Sequence, residues 1–149
     1  MVNYQEVEEE FRVENPHQLD DLAPKIIALA GNHKIWLFKG DMGAGKTTII
    51  QAICKAMGVQ DQVTSPTYSL MQEYHSSLDV FYHFDFYRIK NEAEALDIGA
   101  DEFFDSGKIC FIEWPNKVRS ILPLENMVID ITVQENDSRL IKIYKNEQI

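Results

Sequence analysis

Residues 35–48 read Ile-Trp-Leu-Phe-Lys-Gly-Asp-Met-Gly-Ala-Gly-Lys-Thr-Thr. Within this stretch Gly40, Gly45, Lys46 and Thr47 match G-x-x-x-x-G-K-[ST], the phosphate-binding P-loop pattern. Glycines let backbone N–H groups approach a phosphate chain closely, the lysine reaches the β- and γ-phosphates, and the hydroxyl can bind Mg²⁺. The alternative is an ordinary glycine-rich turn, and the flanking sequence decides between the two.

The flanks of the motif favour the P-loop. Ile35 to Phe38 is a short apolar run of strand-forming residues, and Thr48 to Met57 predicts a helix that ends at Gly58. The helix would turn its N-terminus, with its partial positive charge, toward a bound anion. The stretch is therefore predicted to bind the phosphates of a nucleotide.

Length and composition narrow the class of protein. A chain of 149 residues, 45% of them hydrophobic, is expected to form a single P-loop domain over residues 1–149 with a substantial core. Its net charge of −10 argues against tight, unaided binding to nucleic acid but leaves room for a place in a larger assembly. Cys54 and Cys110 each lie in an apolar run and are predicted to be buried, reduced thiols. Without a signal peptide or an apolar stretch of about 20 residues, the protein is expected to be cytoplasmic, with no membrane partner.

The remaining pattern predicts alternating strands and helices. Pro24 lies inside the first helical pattern, so that helix either kinks there or begins its regular part near Pro24. The alternation around a P-loop predicts an α/β fold, a three-layer α/β/α P-loop NTPase-like sandwich with a mixed, mainly parallel sheet. Strands besides the one before the P-loop are expected over residues 3–14, 67–75, 79–87, 108–113, 127–134 and 139–145, and further helices over residues 16–30, 92–97, 101–104 and 117–122.

A P-loop needs a second acidic element for Mg²⁺, and residues 109–113 have the expected form. Four apolar residues precede Glu113 at the carboxyl end of a predicted strand. Glu113 is therefore a candidate metal ligand, directly or through water, and the alternative is a plain surface glutamate after a strand.

The segment from His83 to Arg88 is the other dense stretch. Asp85 lies between two phenylalanines on a predicted strand and so faces the opposite side of the sheet. A carboxylate there could orient the attacking water or support the metal. In the alternative interpretation Asp85 and Arg88 form a structural ion pair and His83 is partly buried.

Two weaker signals concern the nucleotide. Ser65-Pro66-Thr67 follows the P-loop helix, as switch segments do, and a hydroxyl there could contact Mg²⁺ or the γ-phosphate. Asn116-Lys117-Val118-Arg119 resembles the guanine-reading pattern N-K-x-D, but Arg119 replaces the aspartate that would accept from guanine. ATP is therefore favoured over GTP.

Four segments together resemble the TsaE family, formerly called YjeE: residues 40–48, 65–70, 82–88 and 112–115. The resemblance implies an ATPase, weak alone, that is required for N6-threonylcarbamoyladenosine beside the anticodon of tRNA. It implies the TsaB–TsaD complex as the partner, with tRNA contacted only through the partners, and ATP and Mg²⁺ as cofactors. Two alternatives stay open: a P-loop small-molecule kinase and a nucleotide-gated, non-catalytic binding module.

The resemblance also implies roles for individual residues. Thr47 and Glu113 would hold Mg²⁺, Pro16 would lie near the adenine, and Trp114 would be functionally sensitive. The residues implied in catalysis are Lys46, Thr48, Asp85 and Glu113. Those implied in nucleotide binding are Pro16, Gly40, Met42, Gly43, Ala44, Gly45, Lys46, Thr47 and Thr48.

Overall fold

A computed structural model describes residues 6–66 and 69–149, and within them seven strands form one sheet. The ends of two predicted strands, residues 3–5 and 67–68, lie outside the described residues. In space the strands follow the order β1-β7-β6-β2-β5-β4-β3. Their bounds are β1 Glu9–Val13, β2 Ile35–Lys39, β3 Met71–His75, β4 Val80–Asp85, β5 Ile109–Glu113, β6 Met127–Val133 and β7 Arg139–Lys145.

The centre of the sheet is parallel and its borders are antiparallel. Strands β6, β2, β5 and β4 pair in parallel, whereas β7 runs against both β6 and β1, and β3 runs against β4. Five of the seven described strands therefore point the same way, which confirms the predicted mixed, mainly parallel sheet.

Helices cover both faces of this sheet. On one face α1 (Leu19–Ala30) packs against α2 (Lys46–Ala56). The other face carries α3 (Glu92–Asp97), α4 (Ala100–Phe104) and a 3₁₀ segment at Pro115–Ile121. These layers confirm the predicted three-layer α/β/α sandwich.

The alternation of side chains along the central strands explains the two layers of core. Trp36 and Phe38 belong to the apolar cluster that includes α1 and α2, whereas Ile35 and Leu37 belong to the cluster on the opposite face. Because successive side chains on a strand point to opposite faces, a strand covered on both sides is apolar throughout. β2 is therefore a continuous apolar run from Ile35 to Phe38.

The helix α1 is regular from its first turn. Asn15 caps a 3₁₀ turn at Pro16–Gln18 by accepting a hydrogen bond from the backbone N–H of His17 at 3.1 Å. The α-helix follows at once from Leu19 and continues through Pro24. A regular helix that begins only near Pro24 is therefore wrong, because the capped turn and the buried apolar side chains before Pro24 already hold the helix.

The second half of the chain follows the sequence pattern with small shifts. The predicted helix over residues 92–97 has those bounds, and the last two predicted strands, β6 and β7, pair as an antiparallel hairpin. The helix predicted over residues 117–122 is instead a 3₁₀ segment that begins at Pro115. No helix in the described part of the chain has the length and apolar content needed to cross a membrane.

Candidate nucleotide site

The P-loop joins the end of β2 to the start of α2. Gly45 is the N-cap of α2 with φ of 107°, a conformation that residues with a side chain rarely adopt. At Gly40 the reason for glycine is space, because a Cβ atom would lie 3.0 Å from the carbonyl oxygen of Ile131 and 3.2 Å from the Cβ atom of Ala44. The loop therefore lies directly against β6.

A cavity of about 780 Å³ opens beside this loop, at the carboxyl ends of β2, β4 and β5. Of the residues predicted for the site, it is lined by Met42, Gly43, Gly45, Lys46, Thr47, Thr48, Asp85 and Glu113. Gly40 and Ala44 line a neighbouring cavity of about 570 Å³. Pro16 lines a third cavity, of about 180 Å³, together with Ala44, Gly45 and Thr48. The predicted residues therefore surround the P-loop, but they line three neighbouring cavities rather than one.

Glu113 is buried at the wall of the large cavity, with 3% of its surface exposed. Its Oε2 lies 2.7 Å from Nε2 of His83 and accepts from the hydroxyl of Ser65 at 3.3 Å. The hydroxyl of Thr47 lies 3.4 Å from both carboxylate oxygens. The burial and these contacts exclude the plain surface glutamate that the sequence left open.

Asp85 lies beside Glu113, because the two residues are register partners on the parallel strands β4 and β5. Its Oδ2 accepts from the hydroxyl of Ser65 at 2.8 Å and its Oδ1 accepts from the backbone N–H of Tyr87 at 3.0 Å. Arg88 lines the same cavity. One hydroxyl therefore links the two carboxylates across the cavity wall.

Lys46 is 6% exposed and lies between the P-loop and an aromatic ring. Its Nζ donates to the carbonyl oxygen of Gly40 at 2.6 Å and lies 3.7 Å from the centroid of the Trp114 ring. Burial lowers the pKa of Lys46, and the nearby carboxylates of Glu113 and Asp85 oppose this shift. The cation is thus held by one carbonyl, one ring and two nearby negative charges.

Trp114 adopts φ of 58° and ψ of 51°, the left-handed region that a bulky residue rarely occupies. This conformation ends β5 directly after Glu113 and places the indole between Lys46 and Tyr87, whose ring centroid is 5.0 Å away. Backbone strain of this kind costs about 1–3 kcal/mol and occurs preferentially at functional sites.

The family model for the threonylcarbamoyl adenosine biosynthesis protein TsaE matches residues 13–141. The chain belongs to the TsaE family. It is 33% identical to the tRNA threonylcarbamoyladenosine biosynthesis protein TsaE of Bacillus subtilis over 129 residues, which are 87% of this chain and 80% of that protein. It is 38% identical to the protein of the same name from Haemophilus influenzae over 104 residues, 70% of this chain and 65% of that one.

The structural comparison agrees with this family. The crystal structure of Bacillus subtilis YdiB superposes with a TM-score of 0.77 at 26% identity, covering 98% of this chain and 90% of that one. The resemblance predicted from four short segments is therefore confirmed over most of the chain.

Two features of this TsaE-family site were missed by reading the sequence. Arg139, at the start of β7, donates from Nε to the carbonyl oxygen of Ala44 at 2.9 Å and so braces the P-loop. His83 is fully buried rather than partly buried. The alternation along β4 places His83 on the same face as Asp85, and that signal could have found it. No signal in the sequence points to Arg139, because its contact joins residues 95 positions apart.

The donor atoms on the cavity wall are oxygens suited to Mg²⁺. They are the hydroxyl of Thr47 and the carboxylate of Glu113, with Ser65 and Asp85 beside them. Among the described residues, no group of three or more His, Cys, Asp or Glu side chains is arranged to hold a metal ion. Mg²⁺ commonly takes one or two protein ligands together with substrate phosphates. The residues therefore fit an ion that arrives with a nucleotide.

Proposed function

We propose that this chain is a Mg²⁺-dependent ATPase of the cytoplasm that serves the N6-threonylcarbamoyladenosine modification of tRNA by acting on the TsaB–TsaD complex. The observation that carries the proposal is one cavity wall that Gly45, Lys46 and Thr47 of the P-loop share with two adjacent carboxylates. The names of its relatives supply the pathway.

The proposed nucleotide lies along the P-loop. Backbone N–H groups of Gly43 to Thr47 bind the phosphates, and the N-terminus of α2 adds its partial positive charge. We assign the adenine to the small cavity at Pro16, because that cavity is also lined by Gly45 and Thr48 of the P-loop. ATP is proposed over GTP because Arg119 stands where a guanine-reading motif has aspartate.

The proposed reaction is attack of water on the γ-phosphorus of ATP, with cleavage of the bond to the β–γ bridging oxygen. Asp85 accepts a hydrogen bond from the water and orients it, and Lys46 with the P-loop N–H groups stabilises the charge that develops. Thr47 and Glu113 hold Mg²⁺, which supplies neutralisation of the phosphate charge when it is bound. To reach a phosphate, Lys46 exchanges the carbonyl oxygen of Gly40 for a phosphate oxygen.

The charge of the chain supports an indirect role toward tRNA. A net charge of −10 opposes the phosphate backbone, so we propose that the partner proteins hold the tRNA. Turnover by the isolated chain is expected to be slow and to rise when the partners bind.

The test is ATP hydrolysis by the purified chain, alone and with purified TsaB–TsaD, with Lys46→Ala as the inactive control. We expect slow hydrolysis that rises clearly with the partners. Hydrolysis that the partners do not change, with no complex formed, would contradict the assignment. Phosphate transfer to a small acceptor would identify a kinase. Complementation by an Asp85→Ala variant that binds but does not hydrolyse ATP would identify a nucleotide-gated binding module.

A further inference from the structure

A row of buried polar side chains crosses the face of the sheet that α2 covers. It begins at Glu113 on β5, continues with His83 on β4, and ends with Tyr74 on β3. His83 is fully buried and Tyr74 is 2% exposed. The Tyr74 hydroxyl lies 2.8 Å from Nδ1 of His83, 2.8 Å from Oε1 of Gln72 and 2.9 Å from the carbonyl oxygen of Thr64. Thr64 precedes Ser65, whose hydroxyl contacts both carboxylates.

The chemistry of a carboxylate fixes the direction of the hydrogen bond between His83 and Glu113. An ionised carboxylate only accepts hydrogen bonds, so Nε2 of His83 carries the proton and donates to Oε2 of Glu113 at 2.7 Å. This bond fixes the rotation of the carboxyl group, whose two oxygens both lie 3.4 Å from the hydroxyl of Thr47. A buried imidazole that served the core alone would need only some polar partner. Here the partner is the carboxylate at the cavity wall.

We propose that His83 is a positioning residue, which holds the Glu113 carboxylate beside Thr47 for the Mg²⁺–nucleotide complex, and that the Tyr74 hydroxyl holds the other side of the imidazole by donating to Nδ1. This inference rests on the proposed function, since it assumes that Glu113 serves the metal. Hydrogen-bond partners of metal ligands typically contribute about 10- to 100-fold to metal affinity or activity.

Two substitutions of similar size separate positioning from packing. In His83→Gln the side-chain amide reaches the place of Nε2 and keeps a donor for Glu113. In His83→Asn the shorter amide reaches only the place of Nδ1, so Glu113 loses its donor while Tyr74 keeps a polar partner. Both variants remove the imidazole ring, and so their difference reports the hydrogen bond to Glu113.

The measurement is the affinity for a fluorescent ADP analogue in EDTA and in excess MgCl₂. The ratio of the two affinities measures how much Mg²⁺ contributes to nucleotide binding. We expect His83→Asn to reduce this ratio by about 10- to 100-fold with unchanged affinity in EDTA, and His83→Gln to keep most of it. Equal ratios in the two variants, or an equal loss of affinity in EDTA, would overturn the inference.

Two further controls complete the test. If neither histidine variant folds, Tyr74→Phe decides, because it removes one hydroxyl and keeps the ring: a reduced ratio supports the inference and an unchanged ratio overturns it. A native protein whose nucleotide affinity does not depend on Mg²⁺ would refute the proposed function itself. Native Mg²⁺ dependence that the variants retain would refute only the role of His83.

Discussion

The substitution Glu113→Gln keeps the shape of a buried side chain and removes its charge. His83 donates to Oε2 of Glu113, so the carbonyl oxygen of the new amide is expected to take that position. The NH₂ group then faces the hydroxyl of Thr47, where the carboxylate oxygen Oε1 lies now. The N–H groups of this amide would thus point at the proposed place of Mg²⁺. The site would lose an anionic ligand and gain a group that repels the cation.

The expected loss follows from the contact that disappears. We take the lost contact to be comparable with a hydrogen bond to a charged group, which contributes about 1.5–3 kcal/mol. At 1.4 kcal/mol for each factor of ten, this corresponds to a loss of roughly 10- to 150-fold in affinity for the metal. We therefore expect the Mg²⁺ concentration for half-maximal ATP hydrolysis to rise by that factor.

The matched control is Asp85→Asn, which makes the same chemical change on the neighbouring strand. Asp85 accepts from Ser65 and from the N–H of Tyr87, and Glu113 rather than Asp85 lies beside Thr47. Loss of the Asp85 carboxylate should lower kcat by about 10²- to 10⁴-fold, while the Mg²⁺ concentration required for hydrolysis stays unchanged. The assay is hydrolysis against Mg²⁺ concentration at saturating ATP. A normal Mg²⁺ requirement in a folded Glu113→Gln protein, or equal shifts in both variants, would refute the division of roles.

Three further predictions concern the surroundings of the site. Lys46→Ala should reduce ATP turnover by about 10²- to 10³-fold while circular dichroism still shows the native fold, and near-normal turnover would remove Lys46 from the mechanism. Arg139→Ala frees the carbonyl of Ala44 and should weaken nucleotide binding by about ten-fold, both in EDTA and in MgCl₂, which fluorescence titration can measure; an effect confined to MgCl₂ would contradict a role in bracing the P-loop. Burial raises the pKa of the Cys54 and Cys110 thiols to about 12, so at pH 8 both should resist iodoacetamide in the native protein and react after denaturation. Rapid labelling of the native protein, detected by mass spectrometry, would show that the thiols are not buried.

The parts of the fold that the sequence predicts well are those that depend on local pattern. The helix over residues 92–97 follows from the cap at Asn91, whose side chain and that of Glu94 form a reciprocal capping box. The run before Glu113 predicts a buried strand because every residue of β5 is apolar up to the acid. Such signals need no knowledge of the rest of the chain.

The parts that could not be predicted depend on contacts between distant residues. The left-handed conformation of Trp114 has no local signature, because bulky residues rarely adopt it. The bond from Arg139 to the P-loop requires β7 to lie near that loop, which the sequence does not encode locally. The start of α1 was ambiguous because Pro24 argues locally against a helix that tertiary burial holds together.

The pairing of Asp85 with Glu113 shows how such distant contacts create the site. Each acid was predicted separately, Glu113 at the carboxyl end of one strand and Asp85 between two phenylalanines on another. Their proximity depends on β4 lying next to β5 in a register that sets the two residues opposite each other. A shift of one residue would turn His83 and Asp85 to the other face, where Phe84 and Phe86 are now buried. The apolar face of β4 therefore fixes the register, and the register brings both carboxylates and His83 to the P-loop. Packing on one face of the sheet thus determines the chemistry available on the other.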